Sequence, residues 1–366
     1  MSSLPRSRRS IVAALTTALV TGAVGAAEAK APGGGEVTAF HVPWDPASQA
    51  ALAAHLDGID VFAPQWVALT AADGTLATPP DLKALKTLKR SRRITVLPVI
   101  TNAHDGVWDG AAASGAMADP AVRAKVIAQL AARAKAHGWG GYVFDFEALT
   151  PAGVAAYPGF VAQARKALAK GGKTTWVTAF LSADPAVIKP LADASDRVVL
   201  MAYDECWSTS TPGPVAGVDW LEEVLPVKLA AIDPNKALLA VGAYGYDWPA
   251  GKAATVIGVP AAKALAEAHG VAVTHDAASA NATFKYQDAA GARHTVWMTD
   301  ALTWSYELAA AKAAGLRGVA VWRLGLEDPA IWTTPAAAAP YGTGNPPAKL
   351  PRCFLLGSPW AKGVAP

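Results

Sequence analysis

Eight short runs rich in β-branched and aromatic residues recur along the chain, separated by longer stretches of alanine, leucine and lysine. The runs lie at 37–44, 59–63, 94–101, 141–149, 175–181, 197–204, 238–246 and 318–324. The helical stretches between them include 120–137, 152–170, 220–231 and 302–314. This alternation is typical of strand–helix units around a parallel sheet. Eight such units predict an α/β fold, a closed (β/α)8 TIM barrel, with a doubly wound open sheet as the alternative.

The barrel is predicted to occupy residues 37–332 as one domain. Its seventh and eighth strands are too far apart for a single connecting helix. The segment 253–300 holds a helix-like run at 261–269 and strand-like pieces at 272–275, 283–287 and 294–298. We interpret it as a small α+β insertion that forms one wall of a cleft. Residues 30–36 are expected to be a flexible start, and the Pro/Ala-rich tail 333–366 a wrap or a linker.

The N-terminal residues 1–29 have the features of a signal peptide. Arg6, Arg8 and Arg9 precede an uncharged apolar run over 11–26, and a small-x-small pattern follows at 27–29. The run is shorter than the ~20 residues that a spanning helix needs. We therefore expect export to the periplasm, the cell envelope or the medium, without stable membrane insertion. The paired arginines fit a twin-arginine signal, and an ordinary secretory signal is the alternative.

The composition excludes several classes of function. An apolar fraction of 52% and a charged fraction of 17% indicate a large core, and a net charge of +3 is too small to predict a nucleic-acid partner. Cys206 and Cys353 could pair after export, but two thiols make no metal site. The histidines lack paired spacing, and no phosphate-binding glycine loop is present. We expect a monomer without metal or cofactor.

The most informative segment is the run that ends in Asp145 and Glu147. Strand side chains alternate, so Val143, Asp145 and Glu147 share one face, and an aromatic face opposite them suits packing against helices. The acidic face then points into the barrel toward its mouth, where barrel enzymes hold their active sites. Two carboxylates this close repel each other, so one should keep a proton near neutral pH and serve as a general acid. The alternative is a pair of buried acids neutralised by a neighbouring cation.

The spacing of the two acids also constrains the mechanism. Ordinary glycosidases place two carboxylates on opposite sides of the scissile bond. Neighbours on one strand approach from the same side, so Asp145 is badly placed to attack the sugar. A substrate that supplies its own nucleophile, the oxygen of a 2-acetamido group, removes this difficulty. Asp145 would then orient the acetamide while Glu147 protonates the leaving oxygen.

This segment resembles the D-x-x-D-x-D-x-E signature of glycoside hydrolase family 18, the chitinase-like family, with Asp145 and Glu147 as its last two acids. A second match is the M-x-Y-D motif at 201–204, and a third is Trp322 on the last strand. The resemblance implies that Tyr203 helps to fix the acetamide nucleophile, that Asp204 binds substrate, and that Trp322 is a stacking floor for a sugar. The expected substrate is therefore a β-linked glycan containing N-acetylglucosamine: chitin, peptidoglycan or poly-N-acetylglucosamine.

The sequence is most similar to one bacterial branch of that family. Segments 41–45, 201–207, 244–248 and 322–325 look like the family 18-type domain that other proteins carry beside polysaccharide deacetylase and family 2 glycosyltransferase modules. For this chain the resemblance implies only the role of the barrel. The association favours a glycan of the envelope or matrix.

Three aromatic residues at predicted strand ends, Trp44, Trp66 and Tyr246, are candidates for lining the cleft, with core packing as the alternative. Two departures from the family pattern matter for activity. Val143 replaces the acid that normally lies beneath the catalytic pair, and Cys206 replaces a histidine next to the site. The competing hypothesis is thus a catalytically weak or inactive barrel that binds such glycans. Retention of both Asp145 and Glu147 favours the enzyme.

Overall fold

The computed structural model describes residues 35–78, 81–91, 93–104, 106–338, 341 and 353. Eight parallel strands form a closed barrel, because the first strand pairs with both the second and the eighth. The barrel strands are Glu36–His41, Val61–Leu69, Val99–Thr101, Gly141–Asp145, Thr174–Phe180, Arg197–Ala202, Ala237–Gly242 and Gly318–Trp322. The predicted (β/α)8 fold is confirmed, and the open sheet is excluded.

Helices surround the barrel on its outer face. They are Pro46–His55, Leu82–Leu88, Gly110–Ala118, Pro120–His137, Pro151–Ala169, Pro185–Ala194, Val218–Leu229 and Ala301–Ala313. Several begin at an aspartate whose carboxylate accepts from backbone N–H groups of the first turn, as Asp119 does before Pro120–His137. That helix ends at Gly138, whose φ of 70° is in the left-handed region that glycine tolerates. Within the described residues, no helix combines the length and apolarity needed to cross a bilayer.

Two cores lie on either side of the barrel wall. The interior of the barrel is filled by small and branched side chains such as Val61, Val99 and Val143. The layer between strands and helices is larger and includes Tyr142 and Phe144 from the fourth strand. This division is what the alternation along that strand predicted, with valine inward and aromatics outward.

The second and third strands differ from their predicted bounds at two prolines. The second strand continues through Pro64 to Leu69, although a proline usually ends a strand. Pro64 pairs with His41, the last residue of the first strand. The N–H that Pro64 lacks is therefore missing at the end of the neighbouring strand and not within it. The third strand is interrupted at Pro98, with Thr95–Val96 and Val99–Thr101 on either side. The interruption at Pro98 follows from the backbone donor that proline lacks.

The insertion between the seventh and eighth strands is a separate antiparallel sheet with one helix, Val259–Ala268, packed on it. Its strands, in spatial order, are Thr255–Ile257, Gly245–Pro249, Arg293–Met298, Ala282–Gln287 and Thr274–His275. The α+β character was predicted, but its starting point at 253 was wrong. The seventh barrel strand ends at Gly242, and Gly245–Pro249 already pairs with the insertion.

A disulfide joins Cys206, in the loop after the sixth strand, to Cys353 near the C-terminus. The pairing, which the sequence left open, ties the C-terminal segment to the rim of the barrel. The predicted signal peptide at 1–29, the start at 30–34 and most of the tail lie outside the described residues.

Candidate active site

The two predicted catalytic acids lie at the carboxyl end of the fourth strand. Asp145 is its last residue, and Glu147 follows two positions later, after the strand has ended rather than within it. Asp145 pairs with Thr101 of the third strand and is 4% exposed. Glu147 is partly exposed at the mouth of the barrel. Both acids therefore reach the end of the barrel at which function is expected.

Thr178, on the neighbouring fifth strand, holds the carboxylate of Asp145. Its hydroxyl donates a 2.6 Å hydrogen bond to Asp145 Oδ1. Burial raises the pKa of Asp145 to about 6, and the bond from Thr178 opposes that rise because it stabilises the charged form. Asp145 can therefore lose its proton near neutral pH despite its burial.

The surroundings of Glu147 favour its protonated form. Burial, and then the negative charges of Asp145 and Asp204, raise its pKa well above the usual range of a glutamate. Part of that environment is a mainly apolar cavity of about 330 Å³, which Glu147 lines together with Thr178 and Met201. Because Thr178 donates to Asp145 and no described side chain donates to the Glu147 carboxyl group, a single proton on the pair is favoured on Glu147, as a general acid requires.

The backbone of Glu147 is fixed by a buried amide, that of Asn102. Asn102 Oδ1 accepts from the Glu147 N–H at 2.9 Å, and Asn102 Nδ2 donates to the Glu147 carbonyl at 2.8 Å. The next residue, Ala148, has a φ of 52°. A β-carbon added at Gly110 would lie 1.7 Å from the Ala148 carbonyl oxygen, so only glycine fits against this turn. Asn102, just after the third strand, and Gly110, at the start of a helix, thus set the direction of the chain at Glu147.

The end of the sixth strand contributes Tyr203 and Asp204. Tyr203 is partly exposed, and burial followed by the charges of Asp145 and Glu147 raises the pKa of its phenol, so the hydroxyl keeps its proton and can donate. A β-carbon at Gly242 would lie 2.6 Å from the Tyr203 β-carbon, so this glycine makes room for the tyrosine.

Asp204 is held by two tyrosines of the segment that leads into the insertion. The Tyr246 hydroxyl donates to Asp204 Oδ1 at 2.9 Å, and the Tyr244 hydroxyl donates to the same oxygen. Burial raises the pKa of Asp204, and the two hydrogen bonds oppose the rise. Asp204 itself has a φ of 57°, in the left-handed region. The insertion is thereby coupled to the acidic centre through direct hydrogen bonds.

Trp322 ends the eighth strand, is partly exposed and meets Phe40 edge to face with 5.5 Å between ring centroids. It also contacts the cluster that contains Tyr244 and Tyr246, and it precedes a cis peptide to Arg323. Trp44, after the first strand, is 67% exposed. The ion pair of its neighbour Asp45 with Arg323, at 2.5 Å, joins the two strand ends that carry these tryptophans.

Trp66 is not brought to this site. It is 3% exposed and lies in the layer between strands and helices, where its ring meets Trp139. Its indole N–H donates to Asp81 at 3.1 Å. It lies on the same side of the strand as Phe62, four residues earlier, with 5.9 Å between the two rings, so the alternation continues through Trp66. The structure thus places Trp66 in the core, the alternative that the sequence left open.

Three residues that hold the site were missed from the sequence: Thr178, Asn102 and Tyr244. Thr178 could have been found, since it lies on the inward face of a strand next to the one with the acids. Asn102 and Tyr244 carry no charge and follow strand ends, a signal too common to single them out. Among the described residues, no group of three potential metal ligands comes together.

The family model described as "Glycosyl hydrolases family 18" matches residues 38–327, most of the chain. The chain belongs to this family. It is therefore a glycoside hydrolase with a family 18 barrel, and the predicted family is confirmed. The Asp145–Glu147 pair, Tyr203 and Trp322 all lie within the matched region.

The chain is similar to a Bacillus subtilis protein described as an uncharacterized glycosylase, YvbX, with 29% identity over 88% of this chain and 96% of that protein. It is also similar to a cortical fragment-lytic enzyme of Bacillus subtilis, with 27% identity over 71% of this chain and 63% of the enzyme. Among solved structures, a chitinase from Chromobacterium violaceum superposes with a TM-score of 0.76 at 26% identity, over 82% of this chain and 97% of that one.

Proposed function

We propose that this family 18 hydrolase is exported and cleaves β-linked glycans that contain N-acetylglucosamine, with retention of configuration and with the substrate acetamide as nucleophile. The observation that carries the proposal is the arrangement of Asp145 and Glu147. They are neighbours on one side of the barrel mouth, and the Thr178 hydroxyl stabilises the charged form of Asp145 while the surroundings of Glu147 favour its protonated form. Catalytic acids whose environments separate their pKa values in this way have distinct roles.

In the first step, Glu147 donates its proton to the glycosidic oxygen as the bond to the anomeric carbon breaks. The acetamide carbonyl oxygen bonds to that carbon and forms an oxazolinium ion. Asp145, ionised and held by Thr178, accepts a hydrogen bond from the acetamide N–H, while Tyr203 donates to the acyl oxygen. Asp145 thus balances the positive charge that develops on the acetamide.

In the second step, water attacks the anomeric carbon from the face that the leaving group vacated. Glu147, now a carboxylate, accepts the proton of that water, and the oxazoline opens to the acetamide. Two inversions give net retention. Glu147 is returned to its protonated state, so the cycle is complete.

Trp322 would form the floor for a sugar ring, and Trp44 an exposed platform further along the cleft. Asp204, oriented by Tyr246, would bind the substrate. The names of the relatives favour chitin or cell-wall glycans as the substrate class. The resemblance of the motifs to domains found beside deacetylase and glycosyltransferase modules favours an envelope or matrix glycan. The N-terminal segment supports action outside the cytoplasm.

A glycan-binding barrel without turnover is the second candidate, supported by Val143. This residue is completely buried in the barrel interior, where the family pattern has an acid beneath the catalytic pair. The pair therefore lacks one group with which to share its proton. The hydrogen bond from Thr178 stabilises the charge of Asp145 in place of the missing acid and favours catalysis.

The test is turnover by the mature domain on chitooligosaccharides, peptidoglycan and poly-N-acetylglucosamine. NMR of the first product anomer should show the β form, which reports retention. A thiazoline mimic of the cyclised acetamide should inhibit competitively. Binding to all three glycans without any product would establish the second candidate, and indifference to the thiazoline would refute substrate assistance.

A further inference from the structure

A second cavity, of about 890 Å³, lies beside the insertion. Its walls are the loop 209–212, the turn after the strand Gly245–Pro249, and the central strands of the insertion sheet. The ionisable side chains that line it are Lys252, Lys285, Tyr286, Arg293 and His294. None of the described residues in its lining is acidic.

Tyr246 and Trp248 link the acidic centre to this cavity along one face of the insertion sheet. Tyr246, which bonds to Asp204, and Trp248 are alternate residues of one strand and share that face, with 5.2 Å between their rings. Trp248 pairs with Thr295, and Thr295 pairs with Lys285, so these three also share a face. At ~4.8 Å between strands, Lys285 lies about 10 Å across the sheet from Trp248.

The cationic side chains of the cavity are available for a ligand. Lys252, Lys285 and Arg293 are exposed, and none forms an ion pair with a described residue. The nearby acids Asp247 and Asp288 are both engaged by His294, at 2.8 Å and 3.6 Å. The charges of Lys252, Lys285 and Arg293 outnumber those of these two carboxylates, which favours a positive potential in the cavity.

Trp248 supplies a second observation that points to a ligand. It is 2% exposed and lines the cavity, and its indole N–H has no acceptor among the described residues. A buried donor without an acceptor is costly, because it has lost its bonds to water. A ligand oxygen in the cavity would satisfy it.

We propose that this cavity binds carboxylates carried by the glycan, so that the preferred substrate bears acidic substituents, as the muramyl peptides of peptidoglycan do. The inference rests on the proposed function and deepens it. Neutral chitin chains carry no anionic group that could pair with the three cationic side chains. Partly deacetylated polymers carry ammonium groups, which the same cations repel.

The test measures dissociation constants by calorimetry in a Glu147→Gln background, where turnover does not interfere. The three ligands are a glycan fragment with muramyl peptides, the same fragment after an amidase has removed its peptides, and a chitooligosaccharide of equal length. The variant is Lys252→Gln with Lys285→Gln and Arg293→Gln. The matched control removes three exposed charges from the outer helices and their ends: Lys135→Gln, Lys166→Gln and Lys170→Gln.

The cavity variant should bind the peptide-bearing fragment about tenfold more weakly, and the chitooligosaccharide within about twofold of the parent. Added salt should weaken the parent but not the cavity variant. The amidase leaves a free lactyl carboxylate on each muramyl sugar. If the cavity variant also binds the peptide-free fragment more weakly than the parent does, the lactyl carboxylate is the bound group. If the two bind that fragment equally, the peptide carboxylates are the bound groups. Equal binding by parent and cavity variant, or equal losses on acidic and neutral ligands, would overturn the inference.

Failure of the proposed function gives a different result. The wild-type chain would then hydrolyse none of the three ligands, whatever its affinity for them. Hydrolysis of the chitooligosaccharide together with no effect of the cavity variant would instead overturn the carboxylate site alone.

Discussion

Replacing Thr178 with valine should shift the activity of the enzyme to higher pH. The substitution removes the only side-chain hydrogen bond that Asp145 receives from a described residue, and this bond stabilises the charge of Asp145. Valine keeps the shape and the β-branching of threonine, and Thr178 is buried at 7% exposure, so the fold should persist. A hydrogen bond to a charged group is worth about 1.5–3 kcal/mol. Since one pKa unit corresponds to about 1.4 kcal/mol, the pKa of Asp145 should rise from about 6 by about 1–2 units.

The sign follows from the mechanism, which requires Asp145 ionised and Glu147 protonated. The acidic limb of kcat/KM reports the first proton lost by the pair. It should move up by about 1–2 pH units, which lowers kcat/KM at pH 5 by about 10–100-fold. The assay is a pH series on a chitooligosaccharide, with Thr178→Ser as the control that keeps the hydroxyl. An acidic limb unchanged in Thr178→Val, with the fold intact, would refute the assigned role of this bond.

Two further substitutions test the surroundings of the site and the core. Asn102→Ala removes both hydrogen bonds to the Glu147 backbone. Because a small displacement of a catalytic group is costly, kcat should fall ~10–100-fold with KM little changed. Steady-state kinetics measure this, with Asn102→Asp as the partial control, and a change in KM alone would contradict the prediction. Glu307 is completely buried, neither of its carboxylate oxygens has a partner among the described residues, and burial raises its pKa well above the usual range. Above about pH 4.5 the unfolded chain ionises this group while the folded chain keeps it protonated. The free energy of unfolding of the wild type should therefore fall by about 1.4 kcal/mol per pH unit relative to Glu307→Gln, until the raised pKa is reached. Denaturant unfolding at pH 5 and pH 7 measures the difference, and a gap independent of pH would show that Glu307 is not held neutral.

The barrel and the acidic pair were predictable because both follow from periodicity. Alternation along the fourth strand placed Val143 inward and Tyr142 outward, and the structure has them so. The same rule put Asp145 at the barrel mouth. The helix bounds at Pro120–His137 were also predicted, since an aspartate cap, a proline in the first turn and a terminal glycine mark both ends.

The rest depended on contacts between segments far apart in sequence. The start of the insertion was misplaced because Gly245–Pro249 continues the pattern of the seventh strand, and only its pairing with Arg293–Met298 shows where it belongs. The choice between cleft and core for Trp66, which the sequence left open, is decided by its contacts with Asp81 and Trp139. The amide of Asn102 reaches Glu147 across 45 positions, a relation that no local pattern contains.

The most direct test of the role of Glu147 compares two leaving groups. An unactivated chitooligosaccharide needs a proton on its leaving oxygen, whereas a 2,4-dinitrophenyl chitobioside does not, since its phenolate leaves unaided. Glu147→Gln should lower kcat on the former by about 10²–10⁴-fold and slow the first step on the latter far less. Turnover of the unactivated glycan by the variant as fast as by the wild type would contradict Glu147 as the catalytic acid. An equal loss of activity on both substrates in a folded variant would contradict it as well.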